Sequence, residues 1–299
     1  MRRKLGTCLA AMAAFAPLLA LPAYAQTLKD LLAQLTVQWN SPAEPFKIIG
    51  DVYYVGTKGL ASYLIVGADK HVLIDTALPE ATSQIKSNIE KLGFKPSDIG
   101  LLLNTHAHFD HTGGLAQLKR ETGASLVAGE RDKPLLETGL YPGQEGATEL
   151  RFPPVMVDRA VRDGDVVALG PIRLTAHATP GHSPGCTSWT MDVTERGERH
   201  QIVFFCSATV ALNRLVGAPT HPGIVEDYRH TFAEASNIQA DVFLAPHPEM
   251  LGLDRKRAAL AENGPNPFIK PGEFQSYMQT MRTAFEEALA KQSAAPPKP

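Results

Sequence analysis

Apolar residues in the first third of the chain fall in short runs of strand length: Ile48-Ile49, Val52-Tyr53-Tyr54-Val55, Ser62-Tyr63-Leu64-Ile65-Val66 and His71-Val72-Leu73-Ile74-Asp75, separated by Gly-containing turns. Such closely spaced runs predict an antiparallel meander. A helix is predicted over 79–92, then a strand over 99–104, where Ile99-Gly100-Leu101-Leu102-Leu103 is apolar throughout and so reads as buried on both faces. Helical spacing returns over 113–122, followed by a short strand at 125–128. Residues 139–158, with Pro142, Gly143, Gly146, Pro153 and Pro154, read as a long surface loop. The second half repeats the theme. Strands are predicted at 166–169, 172–178, 187–192 and 201–206, a helix at 225–235, a strand at 242–244 ending just before His247, and a helix at 272–291. Strand runs followed by helices, twice over, predict two packed sheets with helices outside.

Upstream, Leu28, Leu31, Leu32 and Leu35 share one face of a short helix, with Thr27 as its N-cap and Asp30 three residues on. Before it lie Arg2, Arg3 and Lys4, an apolar stretch from Leu9 to about Leu21, and Ala23-Tyr24-Ala25 ahead of Gln26. This is the pattern of a signal peptide cleaved after residue 25, and the apolar stretch is shorter than the roughly 20 residues that span a bilayer. A periplasmic protein is expected, its single domain covering 26–299 with a disordered tail from about 292. Cleavage removes three cations and no acids from 29 basic and 31 acidic residues, leaving a formal charge of −5. That balance argues against a nucleic-acid or anionic-membrane face; a monomer acting on a small molecule is expected. Cys8 leaves with the peptide. Cys186 and Cys206 remain, an even number in an oxidising compartment, open to a disulfide or to free thiols.

The chemistry concentrates in His106-Ala107-His108-Phe109-Asp110-His111, where the apolar strand ends. In extended chain His106 and His108 project to the same side and can share a metal, while Asp110 and His111, entering the helix that begins near Gly113-Gly114, point to a second position. Zinc takes imidazole nitrogen and carboxylate oxygen, with three protein ligands at a catalytic site. Two more ligands are needed. His182 in Thr179-Pro180-Gly181-His182 and His247 in Ala245-Pro246-His247-Pro248 each follow a strand-like run beside a turn-forming residue. The expected division is His106, His108 and His182 on one zinc, and Asp110, His111 and His247 on the other. Three histidines and an aspartate in six residues make a poor core without metal, since each needs a buried partner. His71, His177, His200, His221 and His230 read as ordinary. His200 and His230 are expected to be solvated, whereas His177 and His221 are near enough to the site loops to support ligands.

With His-x-His-x-Asp-His at 106–111, Leu73-Ile74-Asp75-Thr76 before it, and Thr179–His182 and His247 after it, the chain resembles the metallo-β-lactamase superfamily. The resemblance implies a four-layer αββα sandwich of two similar β/α halves, two zinc ions at one edge, and Asp75 as a carboxylate supporting the metal loop. Superfamily thioesterases and lactonases usually carry a metal-bridging aspartate after the strand Ile202-Val203-Phe204-Phe205; here Cys206-Ser207 stands there. In this the chain is similar to subclass B3 β-lactamases, with Phe-Phe-Cys-Ser followed by Val210-Ala211-Leu212-Asn213-Arg214. That resemblance implies a Cys186–Cys206 disulfide rather than a cysteine ligand, and Ser207 and Thr209 as hydroxyls that bind the substrate carboxylate.

What it implies about function is hydrolysis of the β-lactam amide by hydroxide generated at the zinc pair, with Asp110 orienting the nucleophile, hence antibiotic resistance. A periplasmic lactonase or thioesterase, or a non-catalytic zinc-binding protein, stands as the alternative. The helix at 28–35 with Trp39 is read either as a wall over the site mouth or as plain packing.

Overall fold

The computed structural model describes residues 28–141, 143–262 and 264–294. The signal peptide, its cleavage site and the Thr27 cap lie outside the described residues. Seven strands form one sheet in sequential order: β1 (Phe46–Ile49), β2 (Val52–Tyr54), β3 (Tyr63–Ile65), β4 (His71–Ile74), β5 (Ile99–Leu103), β6 (Ser125–Gly129) and β7 (Arg159–Val161). The first four pair antiparallel, as expected for a meander, and β4 to β7 pair in parallel. The second sheet has the order β12-β11-β10-β9-β8, built from β8 (Val166–Leu169), β9 (Ile172–Ala178), β10 (Thr187–Glu195), β11 (Glu198–Phe204) and β12 (Val242–Leu244).

The sandwich follows from side-chain alternation. Tyr63, Ile65, Val72, Ile74, Leu101 and Leu103 turn inward against Leu174, Ala176, Trp189, Ile202 and Phe204 of the other sheet. Their neighbours Leu64, Leu73 and Leu102 turn outward and are covered by Ile85 and Ile89 of α2 (Thr82–Lys91) and by Leu115 and Leu118 of α4 (Leu115–Thr122). On the far side, α6 (Ile224–Glu234) and α9 (Glu273–Ala294) close over the second sheet through Tyr228, Phe232 and Phe285. The result is the expected αββα layering.

Several boundaries differ from expectation. Helices α5 (Lys133–Thr138), α7 (Pro248–Leu251) and α8 (Leu253–Leu260), and strand β7, were not predicted. Each is short and gives no periodic window long enough to read. Helix α9 runs to Ala294, past the expected start of the tail, because Gln292 accepts a hydrogen bond from Leu215 N (2.7 Å) and donates one to Asn213 O (3.0 Å). Residues 295–299 lie outside the described residues. Helix α1 (Leu28–Trp39) is longer than predicted, and of its leucines Leu32 is buried while Leu31 is exposed. Among the described residues no helix is long and apolar enough to cross a membrane.

Candidate metal centre

The carboxyl ends of β4, β5, β9, β11 and β12 open on one edge of the sandwich, where backbone leaving a sheet can present side chains. After β5 the chain stays extended through His108 (φ −108°, ψ 148°), which caps the one-turn helix α3 (Phe109–Thr112). This turn starts four residues earlier than the helix expected near Gly113, and it is what separates the ligands. His106 and His108 leave from extended chain, while Asp110 and His111 ride the helical turn.

The first cluster is a near-equilateral triangle. Ring centroids of His106, His108 and His182 lie 4.7, 4.8 and 4.6 Å apart, and all three residues are buried. Hydrogen bonds fix two tautomers. Nδ1–H of His106 donates to Thr105 Oγ1 (2.9 Å), whose proton goes to Asp75 Oδ2 (2.6 Å). Nδ1–H of His182 donates to the Thr209 carbonyl (2.7 Å). Both rings are thus left with a free Nε2 lone pair. Nε2 of His106 and of His108 are buried without any partner. Burial, reinforced by the neighbouring imidazoles, holds the His106 and His108 pKa values well below the usual histidine range, and burial lowers that of His182 to about 4. Three neutral imidazoles crowded together, with orphaned nitrogens, fit a metal and little else.

The second cluster joins Asp110, His111 and His247. Oδ2 of Asp110 is 3.3 Å from His111 Nε2 and 3.5 Å from His247 Nε2, and the two nitrogens are 3.2 Å apart. Tetrahedral ligands at about 2.1 Å from one zinc would be about 3.4 Å from one another. The spacing therefore fits a shared ion. Burial opposes charge on Asp110, but His111 and His247 outweigh it and hold the carboxyl well below its usual range. Conversely, Asp110 outweighs the burial of His111 and raises its pKa. The two clusters adjoin, with His106 and His111 ring centroids 4.4 Å apart.

Asp75 sits in left-handed backbone (φ 55°), which an aspartate tolerates better than most residues. It accepts from Thr105 N (2.8 Å), Thr105 Oγ1 and Asn104 Nδ2 (3.1 Å), so it supports His106 through Thr105 rather than by direct contact. Cys186 and Cys206 are joined in a disulfide with Cα atoms 5.8 Å apart. Their sulfurs lie within ligand reach of His106. A disulfide sulfur is not the thiolate that binds metal, however, so Cys206 is no ligand here. Ser207 Oγ and Thr209 Oγ1 lie 3.2 Å apart, Ser207 buried and Thr209 half-buried.

Of the remaining histidines, His221 contacts the Gly181 carbonyl (3.3 Å) behind His182. His177 bonds Thr190 (2.8 Å) within the second sheet and joins neither cluster. His200, expected to be solvated, is half-buried between Glu198 and Asp241. Sequence reasoning missed three residues. Thr105 relays Asp75 to His106. Tyr141 stacks on His108 with centroids 4.1 Å apart and planes at 15°. Asp132 binds both loops of the first cluster. Trp39 of α1 stands at the edge of the site, 5.7 Å from His247 and 6.1 Å from Phe109 between ring centroids.

A model of the metallo-beta-lactamase superfamily matches residues 56–247, a span that contains all six clustered residues. The structure is similar to that of BJP-1, a subclass B3 metallo-beta-lactamase of Bradyrhizobium japonicum, with a TM-score of 0.85 and 59% identity over 87% of this chain and 98% of that one. FEZ-1 metallo-beta-lactamase from Legionella gormanii superposes with a TM-score of 0.82 at 38% identity, covering 85% and 98% of the two chains. A hydroxyacylglutathione hydrolase of Methylobacterium nodulans is 27% identical over 224 residues, 66% of this chain and 77% of the hydrolase. That of Maricaulis maris is 28% identical over 192 residues, 57% of this chain and 68% of the hydrolase, whereas those of Rhodopseudomonas palustris, Hyphomonas neptunium and Rhodospirillum rubrum match over less than half their own length.

Proposed function

Because the chain belongs to the metallo-beta-lactamase superfamily, we propose that it is a zinc-dependent β-lactamase of the subclass B3 type, opening the amide of penicillins, cephalosporins and carbapenems. The carrying observation is the pair of adjoining three-ligand clusters, His106/His108/His182 and Asp110/His111/His247. Two zinc ions held there would supply water of lowered pKa and Lewis-acid polarisation of the scissile carbonyl.

The chain's own residues do the rest. Asp110, held ionised, accepts a hydrogen bond from the attacking water and orients it; a carboxyl of such low pKa orients better than it stores a proton. Thr209, with Ser207 behind it, offers a hydroxyl to the substrate carboxylate. Trp39, Phe109 and Tyr141 wall the site with apolar surface and limit bulk water. Export to the periplasm fits both the disulfide and the N-terminal sequence.

The test is turnover of a carbapenem by purified, zinc-loaded protein, with and without a chelator. Chelator-sensitive hydrolysis is expected, and its absence at high enzyme concentration would defeat the proposal. The hydroxyacylglutathione hydrolase relatives favour a thioesterase as the second reading. Against it, residues 205–212 after β11 contain no carboxylate. Faster turnover of a glutathione thioester than of any β-lactam would reverse the preference, and hydrolysis of neither would leave a zinc-binding protein.

A further inference from the structure

We infer that Asp132 is a positioning residue that sets the spacing of the first histidine cluster by tying the His106–His108 segment to the His182 loop. Its carboxylate receives three hydrogen bonds from two separate loops. Oδ2 accepts from Ala107 N (2.8 Å), between the two histidines, and from Ser183 Oγ (2.6 Å), next to His182. Oδ1 accepts from Gly185 N (2.6 Å). Asp132 is buried, and its charged neighbours pair elsewhere, Arg131 with Asp227 and Lys133 with Glu137. A buried carboxylate with no cation bonded to it is costly unless donors surround it, and these three bonds supply them.

The residue also forgoes its default role. Asp132 is the N-cap of α5, where an aspartate ordinarily accepts from the first-turn amides, yet its side chain makes no such bond. The backbone around it is built for contact between the halves. A Cβ on Gly185 would lie 2.2 Å from Asp132 N, and one on Gly129 would lie 2.1 Å from Gly185 O, so only glycine permits the approach. His106 and His108 come from the first sheet and His182 from the second. The triangle they form is therefore only as well defined as the link between the loops, and Asp132 is bonded on both sides of it.

This inference rests on the reading of His106, His108 and His182 as a zinc site, and the experiment separates the two. His247→Ala dismantles the second cluster and lets zinc binding report the first; His182→Ala does the converse. Asp132→Asn is placed in each background, and zinc affinity is measured by competition with a chromophoric chelator, without substrate. Asparagine is nearly isosteric, but its NH2 must face a backbone N–H. In the His247→Ala background it should weaken zinc binding by roughly 10- to 100-fold, the usual range for residues that orient ligands. In the His182→Ala background binding should be unchanged. Unaltered affinity of the first cluster, or equal loss at both, would overturn the inference. Failure of His247→Ala itself to bind zinc would overturn the metal reading and the clamp together. Should Asp132→Asn not fold, Ser183→Ala removes one donor of three and should still weaken the first cluster by about threefold or more; no change would again decide against the clamp.

Discussion

Tyr141 lies flat on His108, ring centroids 4.1 Å apart, and shields from solvent the one first-cluster imidazole for which no hydrogen bond fixes a ring nitrogen. His106 is held by Thr105 and His182 by Thr209, whereas for His108 the stacked phenol does that work. Aromatic pairs of this kind contribute about 0.5–1.5 kcal/mol beyond their buried area. Tyr141→Phe keeps the ring and should leave kcat and zinc content within about twofold. Tyr141→Ala should lose zinc on dialysis at concentrations of chelator that the parent survives. Equal zinc retention by the two variants would refute this role.

Trp39 provides a second test, since its indole reaches both His247 and Phe109. It is also seated on Gly59, where a Cβ would come within 2.5 Å of Trp39 Cδ1. Gly59→Ala should therefore displace the indole without touching the clusters, and Trp39→Ala should remove it. Both are expected to raise KM for a carbapenem by roughly tenfold, about 1.4 kcal/mol of lost binding, with a smaller change in kcat. An unchanged KM in both would mean that α1 is packing and not part of the site wall.

The contrast between these residues and the histidine run explains what the sequence reveals. His106 to His111 is legible because its chemistry is local: four ligand-type side chains within six positions satisfy no ordinary core. His182 and His247 are legible through context, each at the end of an apolar run beside glycine or proline. Asp132 is not, because an aspartate before Lys133-Pro134 has an ordinary explanation as a helix cap, and its three partners are 25 to 53 residues away. Tyr141 sits among glycines and prolines that read only as loop. The sandwich itself was legible because strands β3 to β5 are apolar on both faces, which demands cover on each side. The early start of α3 was not, since four residues carry no periodicity.

The disulfide carries a third prediction. Cys186 follows the His182 loop and Cys206 precedes Ser207, with 20 residues of sequence separation between them. Constraining a loop of this size in the unfolded chain stabilises the fold by about 3 kcal/mol in the chain-entropy account. The double variant Cys186→Ser/Cys206→Ser should lower the denaturant midpoint accordingly while retaining two zinc ions. Loss of zinc stoichiometry with an unchanged midpoint would instead assign the sulfurs to the metal site.

Acid should unfold the metal-free protein by protonating the first cluster. Burial depresses the pKa values of His106, His108 and His182, the last to about 4, whereas an unfolded histidine titrates near 6.5. Between those values the unfolded chain binds protons that the folded cluster refuses, so stability falls as pH falls. It is fully present above about pH 6.5 and declines progressively toward pH 4. His111 has the opposite sign, its raised pKa contributing stability that is complete below about 6.5 and lost at higher pH; Asp75 and Asp132, raised by burial, share that sign, whereas His71 and His177, lowered by burial, act with the cluster. Urea midpoints of chelator-treated protein should therefore drop between pH 7 and pH 5, and His182→Asn, which removes one of the three protonation sites, should make that drop smaller. A midpoint that is flat over this range, or equally steep in the variant, would show that the three imidazoles are not held neutral in the folded chain.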